Sequence, residues 1–280
     1  MGRGRGMGVG MGKAILDRLG RFGQFLWAGW AGVAGLALFA ALWQAGHERF
    51  GAFILPAPLE TLAAGWTIAG NPASWILAGT TTLRAVEGFV LAGLVGTAGG
   101  IAAGYSPATM RLARPILTVL IGVPPIAWIV LAMIWFGSTD GTVVTTVVVA
   151  AVPVVFIGVA EGAVTRDRGL DDMARAFGAG PLARLTTLGF RHIAAFLFPA
   201  LTVALGSAFK VAVMAELLAN TGGIGGALAA ARANLDVAEA LAWVLIAVAG
   251  LILVEHALVH PVRAEFDRWR DAARPWGVKR

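Results

Sequence analysis

Six long apolar runs divide this sequence of 280 residues. Each is close to the ~20 residues that a helix needs to cross a hydrocarbon core of roughly 30 Å. Hydrophobic residues make up 58% of the chain and charged residues 14%, whereas a soluble domain carries roughly 25% charge. The sequence therefore predicts an all-α integral membrane protein with six transmembrane helices, and it excludes disordered, collagen-like and nucleic-acid-binding classes. The predicted spans are 25–46, 80–104, 115–136, 142–162, 195–218 and 238–259.

The basic residues predict the orientation of these spans. The first run follows a basic segment, as a signal peptide would, but it exceeds the ~7–15 apolar residues of a signal core, so we expect an uncleaved span. All but four of the 22 Lys and Arg residues fall on one side, which the positive-inside rule assigns to the cytoplasm. Both termini are therefore expected in the cytoplasm. The four exceptions are Arg49, Arg84, Arg232 and Lys210, the last of which lies inside a span.

Three segments follow from these assignments. Residues 1–24 form a basic cytoplasmic arm, residues 25–260 form the membrane domain, and residues 261–280 form a basic cytoplasmic tail. The chain has no cysteine, which excludes disulfides and cysteine-ligated metal sites. Its four histidines show no ligand spacing, so we expect no metal site.

The long cytoplasmic loop 163–194 carries the clearest motif. Asp171 and Asp172 are predicted to open a short helix, Gly178 to close it, and Pro181 to begin a second helix. The first helix has an apolar face that needs a cover, either the chain's own spans and lipid or another protein. This face consists of Leu170, Met173, Ala174 and Phe177.

Residues Asp172 to Ala179 read Asp-Met-Ala-Arg-Ala-Phe-Gly-Ala. This run resembles the Glu-Ala-Ala-Arg-x-Leu-Gly-Ala motif of permease subunits of ATP-binding-cassette (ABC) importers, in the nitrate/sulfonate/taurine/bicarbonate branch. The similarity extends over roughly 55–270 and departs from the motif at Asp172 and Met173. Further similar runs are Leu55-Pro56-Ala57-Pro58, Pro124-Pro125, Ala215-Glu216-Leu217-Leu218 and Gly223-Ile224-Gly225.

The resemblance implies a type I importer permease in a bacterial inner membrane, non-catalytic and without a bound cofactor. Two copies form the pathway for a small anionic solute, which an extracytoplasmic binding protein delivers. ATP and Mg²⁺ belong to a separate ATPase subunit, since this chain has no phosphate-binding Gly-x-x-x-x-Gly-Lys-[Ser/Thr] run. The expected ATPase-coupling residues are Asp171, Asp172, Met173, Ala174, Arg175, Phe177 and Gly178.

Charged residues at membrane depth suggest the pathway. Lys210 near mid-bilayer costs about 2.5–3.5 kcal/mol on insertion scales, so it either pairs with Glu87 or contacts an anion. Arg84 competes for Glu87 at i−3, and Glu216 marks an outer gate or caps the loop that follows it. Pro124 and Pro125, which break a span, complete the candidate set.

Two rival functions remain at this point. A self-sufficient secondary transporter or channel would use Lys210, Glu87 and Glu216 for ion coupling. A membrane enzyme would need paired carboxylates, a histidine cluster or an activated nucleophile at membrane depth, and the sequence contains none of these.

Overall fold

A computed structural model describes residues 30–259, and every regular element within that range is helical. Helix α1 is described from residue 30 to residue 50. The remaining α-helices are α2 Pro58–Gly70, α3 Pro72–Tyr105, α4 Pro107–Gly122, α5 Pro125–Phe136, α6 Asp140–Val164, α7 Arg168–Ala176, α8 Pro181–Arg184, α9 Phe190–Ala219, α10 Gly223–Ala233 and α11 Val237–Val254. Two π-helical turns follow α8 and α11, at Leu185–Gly189 and Glu255–Val259.

The chain divides into two compact units, residues 1–63 and residues 64–280. In the first unit, two side chains of α1 hold the turn that follows this helix by contacts to backbone carbonyl oxygens. The Trp43 indole N–H donates to the Pro56 carbonyl at 2.9 Å, and His47 Nδ1 lies 2.8 Å from the Leu55 carbonyl oxygen. Gly51 in this turn has φ +82°, which favours glycine.

The second unit is built on α3, α6 and α9. Gly96 meets Val155, Gly100 meets Val159 and Gly104 meets Ala163, at a constant sequence offset, so α3 and α6 run parallel. A Cβ at Gly96 or Gly100 would lie 2.7 Å from the Cβ of its valine partner, which explains why glycine is required there. These glycines have the small-xxx-small spacing that lets membrane helices approach each other closely.

Helix α9 packs antiparallel against α6. Gly158 approaches Ala200, whereas Gly162, later in α6, approaches the earlier residue Phe196. Buried apolar side chains of α5, α6, α9 and α11 form the main core around Phe209, including Ile129, Val143, Val147 and Trp243.

Four of the described helices are long and apolar enough to cross a membrane, or five if the bent pair α4 and α5 is one span. Part of the predicted first span lies outside the described residues, so six spans remain a prediction. The predicted third span, 115–136, was expected to break at Pro124-Pro125, and α4 and α5 meet there at 96°. Pro153 does not interrupt α6, which runs through it as one helix.

Two further boundaries differ from the prediction. Helix α3 begins at Pro72, before the predicted start of span two, because the Asn71 side chain caps it by accepting the Ala73 N–H at 3.0 Å. The stretch after Glu216, expected to be a loop, contains the buried helix α10. Its Gly-rich start hid that helix from sequence analysis, since glycine is a poor helix former.

Candidate functional sites at the two ends of the bundle

The loop between α6 and α9 forms two short helices, as predicted. Its first helix, α7, begins at Arg168 rather than at Asp171, because the Asp167 carboxylate caps it by accepting the backbone N–H groups of Gly169 and Leu170 at 2.8 and 3.3 Å. Gly178 follows α7 with φ +81°, so it ends the helix in a conformation that side chains other than glycine rarely adopt. Helix α8 then starts at Pro181, which confirms the predicted corner.

The apolar face of α7 lacks a cover in the described chain. Phe177 is 86% exposed, and Met173 and Leu170 are about half exposed. Ala174 is partly buried, and Gly178 is exposed beside Phe177. Of the covers considered from sequence, packing on the chain's own helices is absent for Phe177, which leaves this face open to lipid or to another protein.

The charged side chains of α7 have different partners. Arg175 Nη2 lies 2.5 Å from Asp172 Oδ1, an exposed pair within the helix. Asp171 instead turns toward α8, where Arg184 Nη1 donates to both of its carboxylate oxygens at 3.2 Å.

At the opposite end of the same helices, Arg84 joins two carboxylates. Its Nη1 donates to Glu216 Oε1 at 2.8 Å, and its Nη2 lies 2.5 Å from Asp140 Oδ1. The same Nη1 also contacts the carbonyl oxygens of Thr221 and Gly222, at 3.0 and 3.4 Å. Arg84 is nearly buried, whereas Asp140 at the start of α6 is exposed.

Glu216 is fully buried and accepts three hydrogen bonds. Besides Arg84, the Thr81 hydroxyl donates to its Oε2 at 2.7 Å, and the Gly225 N–H donates to the same oxygen at 3.1 Å. The Thr81 hydroxyl oxygen also accepts the Ile224 N–H at 2.8 Å. We call this cluster of Thr81, Arg84, Asp140, Glu216 and the backbone of 221–225 the Arg84 network.

The network ties α3, α6, α9 and α10 together at one end of the bundle. The carboxylate of Glu216 caps the first turn of α10, where unpaired N–H groups and the helix dipole favour a negative charge. Of the two roles predicted for Glu216, an outer gate or a cap, its hydrogen bond to the first turn of α10 corresponds to the cap. The sequence did not indicate Thr81 or Asp140, and for Arg84 it indicated only competition for Glu87, because residues 56 and more positions apart give no spacing signal. Sequence could have indicated the pair in one way: Arg84 and Glu216 are oppositely charged residues inside apolar helices, and such residues are expected to pair in a membrane.

The other pathway candidates do not join this cluster. Lys210 and Glu87 are both exposed, and they form no ion pair with each other in the described residues. Lys210 therefore lies on an outward face of α9 within a membrane-crossing helix. Pro124 immediately precedes α5 and Pro125 opens it, at the bend described above.

The similarity of this chain to known proteins is consistent across sequence and fold. Residues 72–259 match the family model described as binding-protein-dependent transport system inner membrane component. A putative aliphatic sulfonates transport permease protein of Escherichia coli (strain K12) is 27% identical over 187 residues, covering 66% of this chain and 71% of the relative. A taurine transport system permease protein of the same strain is 30% identical over 183 residues, covering 61% and 64%.

Two further comparisons agree. A nitrate import permease protein of Synechococcus elongatus is 25% identical over 198 residues, covering 67% of this chain and 71% of the relative. A chain from an inward-facing structure of the MetNI methionine ABC transporter has the same fold, with a TM-score of 0.51 at 18% identity over 72% of this chain and 94% of that one. The predicted resemblance is thereby confirmed: the protein belongs to the family of binding-protein-dependent transport system inner membrane components, and it is a multi-pass transmembrane permease subunit of the ABC importer type.

Proposed function

We propose that two copies of this chain form the pathway for a small anionic solute, with both termini in the cytoplasm. A binding protein outside the membrane delivers the solute, and a separate ATPase subunit, which binds ATP and Mg²⁺, drives the transport. This chain contributes no catalytic residue. In this orientation α7 faces the cytoplasm and the Arg84 network lies at the outer end of the bundle.

The exposed face of α7 carries the proposal. A phenylalanine that is 86% exposed outside the membrane-crossing helices is a typical anchor for a partner protein. Met173 extends the same face, and Gly178 lets the partner approach the backbone closely. We therefore assign α7 as the coupling helix that docks on the ATPase, with Asp172 and Arg175 at its rim.

Lys210 supports an anionic solute. An ammonium group within a membrane-crossing helix is costly in lipid, so such residues normally face a water-filled cavity or a partner. Lys210 is exposed on α9 and forms no ion pair among the described residues. In a dimer this face of α9 would line the pathway, where the ammonium group would attract a sulfonate or a nitrate. The sulfonate, taurine and nitrate permeases similar to this chain are named for such solutes.

The direct test is to purify the tagged chain from its native membranes in mild detergent and to identify the proteins that accompany it. Gly178→Asp places a side chain at φ +81° and adds a charge beside Phe177, so we expect the ATPase to accompany the wild type and to be lost with this variant. Gly180→Asp is the matched control, because Gly180 has no positive φ and open space around its Cβ position, and it should retain the ATPase.

Two outcomes would contradict the proposal. An ATPase that stays with Gly178→Asp would remove α7 as the docking element. A chain that purifies alone in all three forms would instead favour the secondary transporter, with Lys210 and Glu87 as the first residues to test. The structure does not pair that rival's three residues, since Glu216 bonds to Thr81, Arg84 and Gly225.

A further inference from the structure

The ion pair between Asp171 and Arg184 lies in the same loop, but it has no role in the proposed docking of α7 on the ATPase. Sequence resemblance placed Asp171 among the residues that contact the ATPase. In the structure its carboxylate points back into the chain, and both partners are only about one-fifth exposed, 21% for Asp171 and 20% for Arg184. The neighbouring Asp172–Arg175 pair is 63% and 68% exposed and stays within α7.

This pair is also the ion pair that joins α7 to another helix among the described residues. Among the side chains that the structure describes, the other polar contacts of α7 are local: Asp167 caps its first turn, and Asp172 pairs with Arg175. A cavity of about 110 Å³ lies beside the ion pair, lined by residues that include Tyr105, Leu188 and His192. At this point α7 is therefore joined to α8 by a polar bridge beside a cavity that Leu170 also lines.

Arg184 lies near the start of a long continuous helical stretch. Residues 181–219 are helical throughout, from α8 through the π-helical turn Leu185–Gly189 into α9. This helical stretch carries Lys210 and, near its far end, Glu216 of the Arg84 network. A displacement of α7 that is transmitted to Arg184 therefore moves the helix that bears the proposed pathway lysine.

We propose that Asp171 and Arg184 are positioning residues that transmit the movement of the docked coupling helix to α9. This inference rests on the proposed function, because it requires an ATPase on α7. A nine-residue helix has little stability of its own, so without this bridge α7 can follow the ATPase while α9 stays behind. The expected consequence is ATP hydrolysis that no longer drives transport.

The test uses the full complex reconstituted in proteoliposomes, with taurine and ethanesulfonate as solutes and the co-purified binding protein present. Three quantities are measured for each variant: the amount of bound ATPase, the ATP hydrolysis rate, and the solute taken up per ATP. For Asp171→Asn and Arg184→Gln we expect normal ATPase binding and hydrolysis within about threefold of wild type. Uptake per ATP should fall at least tenfold, and the exchanged double variant Asp171→Arg with Arg184→Asp should recover most of it.

An exposed arginine outside the α6–α9 loop supplies the control. Arg232→Gln removes the same group as Arg184→Gln from a residue that forms none of the ion pairs of the described residues, and it should change uptake per ATP less than twofold. Loss of the ATPase itself from Asp171→Asn would overturn the inference and make Asp171 a docking residue. Full coupling in both single variants, or no recovery in a well-folded exchanged variant, would overturn it too. Failure of the proposed function is distinct, since then no ATPase accompanies the wild type.

Discussion

The two ends of the bundle differ in how their charged side chains are buried and paired. At the Arg84 network, a fully buried glutamate accepts three hydrogen bonds, and one guanidinium joins two carboxylates from different helices. At the α6–α9 loop, the ion pairs are isolated and at least partly exposed, and the largest apolar side chain faces outward. At one end the buried charges pair within the chain, whereas at the other end Phe177 has no cover among the described residues.

This difference indicates which parts move together. The Arg84 network fixes the ends of α3, α6, α9 and α10 to one another, so these helices should behave as one body there. Helix α7 is joined to the neighbouring helices by one ion pair and the half-exposed Leu170, so it can shift with a partner. The proposed transport then requires a body that stays rigid at one end and is driven at the other. Three sets of substitutions test this contrast.

The largest effect is expected at Arg84. Arg84→Met leaves the buried carboxylate of Glu216 without its cation, and breaking a buried ion pair in this way costs about 3–5 kcal/mol. The thermal unfolding temperature of the purified chain, followed by circular dichroism in detergent, should fall by well over the scatter of replicate samples. Adding Glu216→Gln to the Arg84→Met variant removes the unpaired buried charge, so it should recover part of the lost unfolding temperature.

Arg232→Met provides the control for the loss of a positive charge. Arg232 is exposed on α10 and takes part in none of the ion pairs of the described residues. Its removal should leave the unfolding temperature nearly unchanged. Equal effects of the two arginine substitutions would mean that the Arg84 network does not hold this end of the bundle.

An intermediate effect is expected from two adjacent glycines in α10. A Cβ at Gly225 would collide with the Val213 carbonyl oxygen and with Glu216, so Gly225→Ala should cost about 1–3 kcal/mol through overpacking. At Gly226 the nearest atom is 3.5 Å away, an ordinary contact, so Gly226→Ala should be neutral or stabilise α10 by up to about 1 kcal/mol. Because both variants gain the same helix propensity, the difference between their unfolding temperatures measures the close approach of α10 to α9. Equal unfolding temperatures would contradict that approach.

Local chemistry made much of the fold predictable. The helix positions, the bend at Pro124-Pro125 and the corner at Gly178 and Pro181 could be located from sequence. Each of them depends on residues that are close together in the chain. The start of α7 was misplaced by three residues, because several acidic residues compete as caps and the side-chain geometry decides for Asp167.

The sites were predictable only where they depend on local pattern. The exposed α7 face followed from the spacing of Met173 and Phe177. The partners of Arg84 did not, because Asp140 and Glu216 meet it only after α3, α6 and α9 have packed. The direction of the Asp171 side chain likewise depends on where α8 lies, which no motif specifies.

The smallest effect is expected from the exposed pair of α7. Asp172→Asn removes a surface ion pair, which is worth no more than about 0.5 kcal/mol between helix neighbours. Salt sharpens the comparison, since the screening length falls to about 3 Å at 1 M ionic strength and exposed pairs are screened far more than buried ones. The difference in unfolding temperature between wild type and Asp172→Asn should therefore vanish in 1 M NaCl, while the difference caused by Arg84→Met should persist. If both differences were equally sensitive to salt, the Arg84 network would be open to water, and the contrast between the two ends of the bundle would be lost.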